Sequence, residues 1–179
     1  MKTSIKTLFA SALTAIVLTS SAFTTIAKEK SPASINATVK FNKVVVTGNA
    51  NVILVQGNTE GINSYNEVQN GNTSVKQMGY TLYINSTDKS TIYVHVKDLQ
   101  RIDAAETATV KTRGNFNLAV LQIFLKDNAK AKVTANVGSL YTEISGQSDL
   151  KLSGSSTEHH LVKNDVSKLN QTDFVIAKL

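Results

Sequence analysis

Val46-Thr-Gly-Asn-Ala-Asn-Val-Ile-Leu54, Ala104-Ala-Glu-Thr-Ala-Thr-Val-Lys-Thr112, Leu125-Lys-Asp-Asn-Ala-Lys-Ala-Lys-Val133 and Ile144-Ser-Gly-Gln-Ser-Asp-Leu-Lys-Leu152 are copies of one pattern. A weaker fifth copy starts at Val162. The third position holds Gly48, Glu106, Asp127, Gly146 and Asn164, mostly residues that tolerate a turn. The fifth is always small (Ala50, Ala108, Ala129, Ser148), and the seventh and ninth are mostly apolar. This is a turn, a small inward residue and then an alternating strand. The last four turn positions lie 21, 19 and 18 residues apart, the spacing of one coil of a solenoid.

A repeat of this length cannot bury its apolar side alone, so copies must stack, with like residues in columns and strands about 4.8 Å apart. The expected fold is all-β, a single parallel β-helix (β-solenoid) with coils of roughly 18 to 22 residues. An antiparallel β-sandwich is the rival, but its turns recur at shorter intervals and its strands need not resemble one another. Ala108, Ala129 and Ser148 should point inward, and Lys111, Lys132 and Lys151 outward.

Outward from the repeat, the same alternation covers Val44 to Val46, Val52 to Val55, Tyr80 to Ile84 and Ile92 to Val96. The run Phe116 to Leu125 is apolar enough for a helix, but its place inside a repeat makes it a strand. Residues 58–78 are polar and irregular. Residues 28–40 hold the only proline, Pro32, show no apolar period and read as a flexible lead-in to a domain at 41–179.

At the start, Lys2 and Lys6 precede an apolar run from Leu8 to Leu18 that is too short for a stop-transfer helix. Residues 1–27 therefore read as a signal peptide, cleaved after Ala27 or, alternatively, after Ala22. The formal charge of +6 falls to +4 when Lys2 and Lys6 leave with that segment. With no cysteine, neither a disulfide framework nor a lipid-bearing thiol is available, so stability must come from packing.

The stretches Phe41 to Gly57 (FNKVVVTGNANVILVQG), Gly79 to Ile84 (GYTLYI) and Ile144 to Leu152 resemble the autotransporter adhesin head GIN domain family, common in exported proteins of Bacteroidetes. The resemblance covers residues 41–179 and implies a right-handed parallel β-helix and an exported location. Several rungs depart from the family pattern by carrying Glu106, Asp127 and Asn164 where it has glycine.

The expected function is an exported binding or structural module of the cell envelope, adhesin-like, in the periplasm or at the cell surface. Lys111, Lys132 and Lys151 share the eighth repeat position and form a row, joined by Lys126 and Lys130, suited to an anionic glycan; another envelope protein is the other expected partner. Tyr80, Tyr83, Tyr93 and Tyr141 are too scattered to support nucleic acid as the anion. The alternative is a carbohydrate-active lyase or hydrolase using Glu106 and Asp127, which fall at one repeat position on neighbouring coils. His159 and His160 alternate across a strand, which disfavours a shared metal, and no cofactor motif appears.

Overall fold

A computed structural model describes residues 34–35, 40–64 and 72–177. Residues 1–27, expected to be a signal peptide, and most of the expected lead-in at 28–40 lie outside the described residues. Among them the secondary structure is entirely strand: β1 (Ser34–Ile35), β2 (Lys43–Gly48), β3 (Asn51–Gln56), β4 (Gly61–Ser64), β5 (Thr73–Met78), β6 (Thr81–Ser86), β7 (Thr91–Val96), β8 (Arg101–Ala104), β9 (Thr109–Arg113), β10 (Phe116–Leu125), β11 (Lys130–Ile144), β12 (Asp149–Lys163) and β13 (Lys168–Ile176). All join one mixed sheet that curls into a half-barrel. No helix among the described residues is long and apolar enough to cross a membrane.

From Arg101 onward the repeat becomes geometry. Lys130 pairs in parallel with Thr109 on one side and Asp149 on the other, so successive coils lie in the register that the repeated copies require. The long strand β11 receives β9 at its start, from Lys130 to Lys132, and β10 from Ala135 to its end, and β12 and β13 extend the stack. Alternation then builds the core. Leu82, Val44, Ile102, Ile123 and Thr142 are register neighbours forming one inward column, each 0% exposed. Fully burying each such aliphatic side chain contributes about 1.5–3 kcal/mol, which is what a cysteine-free chain relies on. The column ends at Leu161, 37% exposed in the last coil. Ala50, Ala108, Ala129 and Ser148 are buried behind the turns, as expected.

Before Arg101 the structure departs from a stack built in chain order. The coil of β2 and β3 lies between that of β6 and β7 and that of β8 and β9, with Val44 flanked by Leu82 and Ile102. The coil of β6 and β7 is a further copy that the repeat pattern does not include. Ile84 pairs with Val46 and Thr91 with Asn51, so its turn is two residues longer than the one after β2 and breaks the spacing. The extra length is anchored by Asp88, whose carboxylate accepts from the Ser86 and Ser90 hydroxyls and, at 3.0 Å, from the Ser90 amide. The sheet is also not wholly parallel, because β5 pairs antiparallel with β6, β4 with β7, and β1 with β4. A short hairpin at Gly79 reverses the chain between β5 and β6, which a strand returning through a full coil would not do.

The fifth copy needs its register moved along by one position. Lys163, not Val162, lies opposite Ile144, and Lys168 opposite Asp149. Asp165 therefore takes the turn position in place of Asn164, and Ser167, 5% exposed, supplies the small inward residue. The step from Asp149 to Lys168 then equals the step from Lys130 to Asp149 in the coil before it.

Candidate functional site

The turn stack divides the outer surface into two flanks. On the flank after the turns, Ile53, Lys111, Lys132, Lys151 and Asn170 lie in register on adjacent strands. The lysines therefore form an unbroken ladder, spaced about one strand apart. Lys130 belongs to the neighbouring outward row, between Thr109 and Asp149. The ladder's one ion pair among the described residues is Lys151 with Asp173, 3.7 Å apart and largely exposed, which offsets little of the repulsion. Arg113 adds a further cation to this flank, set over the Tyr93 ring with its Cζ 5.5 Å from the centroid.

Lys126 does not join that ladder. It precedes the turn and lines a groove on the other flank together with Val45, Thr47, Arg101, Asp103, Phe124 and Glu143. Proximity in the chain to Lys130 suggests a shared face, but the turn between them sends the two to different flanks.

The groove follows from strand alternation. Val45, Asp103, Phe124 and Glu143 occupy one outward row, and Lys43, Arg101, Gln122, Tyr141 and His160 the next. Asp103 is held by two cations, Lys43 Nζ at 3.0 Å and Arg101 Nε at 2.9 Å. The Arg101 guanidinium lies over Phe124, its Cζ 3.9 Å from the ring centroid. Phe124 meets Tyr141 at 5.5 Å, and Tyr141 stacks on His160 at 5.2 Å. The Tyr141 hydroxyl donates to Glu143 Oε2 at 3.1 Å. Partial burial, then that bond and the Glu143 charge, raise the phenol's pKa above its ordinary value.

This row is missing from the sequence reading, although a signal for it exists. The register that aligns Ala104 with Leu125 also sets Asp103 beside Phe124, one position ahead of the turn and lysine positions that define the repeat.

The remaining candidates resolve simply. Glu106 and Asp127 are brought together as turn-building residues, both in the left-handed region at φ 60° and 58°, with Asp127 Oδ2 accepting from the Glu106 amide at 3.0 Å. His159 and His160 fall on opposite sides of β12. His159 bonds the Thr142 hydroxyl through Nε2 at 2.8 Å and meets Phe174 edge-on, and burial followed by the charge of His160 lowers its pKa. No group of three potential metal ligands gathers among the described residues.

What the fold and its surface define is an all-β module of stacked strands carrying a basic ladder on one flank and a charged, aromatic groove on the other. The chain belongs to the family described as "Putative auto-transporter adhesin, head GIN domain", whose model matches residues 31–179. The fold is similar to that of a putative adhesin from Parabacteroides distasonis, with a TM-score of 0.63 at 12% identity over 83% of this chain and 76% of that one. A putative adhesin from Parabacteroides merdae gives a TM-score of 0.58 at 16% identity over 82% and 74%. A putative lipid binding protein from P. distasonis also gives 0.58, at 9% identity over 82% and 76%. Among curated proteins no relative matches the chain.

Proposed function

We propose that this chain is an exported, adhesin-like binding module of the cell envelope, acting in the periplasm or at the cell surface, and that its basic ladder engages an acidic polysaccharide. In this reading residues 1–27 are the signal peptide, 28–40 the lead-in and 41–179 a right-handed parallel β-helix. The observation that carries it is the in-register row Lys111, Lys132 and Lys151. Three like charges one strand apart repel, and a polyanion threading along the row relieves that repulsion while releasing its own counterions. Membership of an adhesin-head family and the basic, apolar start of the chain support the exported location.

The alternative of a lyase or hydrolase has no observation to favour it. Asp127 is engaged by the backbone of Glu106, and neither acid has a cation within ion-pair range among the described residues.

The test is binding of the mature chain to immobilised polygalacturonate across a salt series. Binding should weaken steeply with salt, and replacing Lys111, Lys132 and Lys151 together by Gln should lower affinity at least tenfold at low salt and flatten the salt slope. Unchanged binding by that variant would exclude the ladder. Fractionation of the producing cells with surface proteolysis tests the location.

A further inference from the structure

We propose that the groove on the opposite flank is a second, separate site that binds a single carboxylated sugar, a uronate, through Arg101 and Lys126. The groove has a volume of about 310 Å³, at the lower end of what small-ligand pockets offer and enough for one pyranose ring. Its cation is fixed before any ligand arrives. Arg101 Nε is bonded to Asp103 at 2.9 Å, and the guanidinium lies over Phe124 with its Cζ 3.9 Å from the ring centroid. Its two terminal amino groups have no protein partner among the described residues. A guanidinium immobilised through Nε and one face keeps its free edge for a planar acceptor, and a carboxylate fits that edge with two parallel bonds.

The charge balance points the same way. Lys43, Arg101 and Lys126 set three cations against Asp103 and Glu143, leaving one positive charge in excess for a monoanion. Asp103 is already neutralised by two cations, and Lys126 makes no ion pair among the described residues. A sugar is favoured over an acidic peptide by the rest of the lining. Glu143, oriented by the Tyr141 hydroxyl at 3.1 Å, offers acceptor positions for hydroxyl donors, and Val45 and Phe124 offer apolar contact to C–H groups. Carboxylate, hydroxyls and an apolar ring face occur together in a uronate.

The experiment is calorimetric titration of the mature chain with a monomeric methyl galacturonoside, too short to span the lysine ladder, its methyl ester and a singly charged, end-blocked glutamate peptide, at low salt. The free acid should bind, and the neutral ester at least tenfold more weakly. Arg101→Met, which keeps the stem, should weaken binding at least tenfold, and Lys126→Met, an exposed residue whose loss leaves the fold intact, about threefold to tenfold. The Lys111/Lys132/Lys151→Gln variant should retain this binding, which separates the groove from the ladder. The site is overturned if the acid does not bind, if ester or peptide binds as well as the acid, if Lys126→Met and Arg101→Met leave affinity unchanged, or if the triple Gln variant alone abolishes it.

Discussion

Glu106 holds a backbone conformation, φ 60°, that costs an L-residue with a long side chain about 1–2 kcal/mol. Two other copies place glycine at this position, so Glu106→Gly should raise the unfolding free energy by about 1 kcal/mol, read as a higher Tm. Gly146→Ala should do the reverse. Its Cβ would lie 2.7 Å from the Asp127 carbonyl oxygen, a rigid backbone atom, on top of the φ cost, so a loss of roughly 1–3 kcal/mol follows. Asp88 supplies a pH dependence. The Ser90 hydroxyl first, then the Ser86 hydroxyl, hold its pKa down to about 2. A folded pKa below the unfolded one stabilises the fold above about pH 4, and the contribution fades as pH falls from there toward 2. Asp88→Asn should therefore show a smaller Tm drop than the parent between pH 5 and pH 2, and equal acid limbs would refute the role given to Asp88.

The strands β9, β11 and β12 carry the lysine ladder, and its repulsion is a property of their pairing rather than of any one residue. Raising salt should stabilise the free protein by screening it, and Lys132→Gln, which removes the middle charge, should raise Tm by about one to three degrees at low salt with the gain vanishing near 0.5 M salt. The ladder is legible in the sequence because β8 to β12 repeat at a nearly even spacing, which tells who sits beside whom without coordinates. The groove is less so, since a repeat names the neighbours of Phe124 but not that Arg101 folds diagonally over its ring. The coil of β6 and β7 is illegible as a copy because the Ser86 to Ser90 turn lengthens it, and the antiparallel β4 and β5 because Asn58 to Met78 shows neither period clearly.

At the scale of the described domain, the pairing of β2 with β8 and β3 with β9 makes the intervening segment an added layer rather than a link in the stack. Gln56 lies in register with Val96, and the Gly57 amide donates to the Val96 carbonyl at 3.1 Å, so the two chain paths run one strand apart at that point. Excising residues 58–97 and joining Gly57 to Asp98 should leave a β-rich chain with cooperative unfolding at a lower Tm, and loss of the cooperative transition would show the layer to be essential. The inverted coil order also sets a timetable. Val44 reaches its partner Ile102 only after everything from β3 to β7 has been made, and its other partner, Leu82, comes from a coil that arrives in between. A chain emerging from a ribosome or a membrane pore thus cannot grow by laying each new coil on the last. β6 and β7 can cover one edge of β2 and β3, but the edge that faces β8 and β9 stays unpaired until Arg101 to Arg113 is out, past half of the chain, a non-local closure that slows folding and opens an interval in which a chaperone or a neighbouring chain competes for that edge.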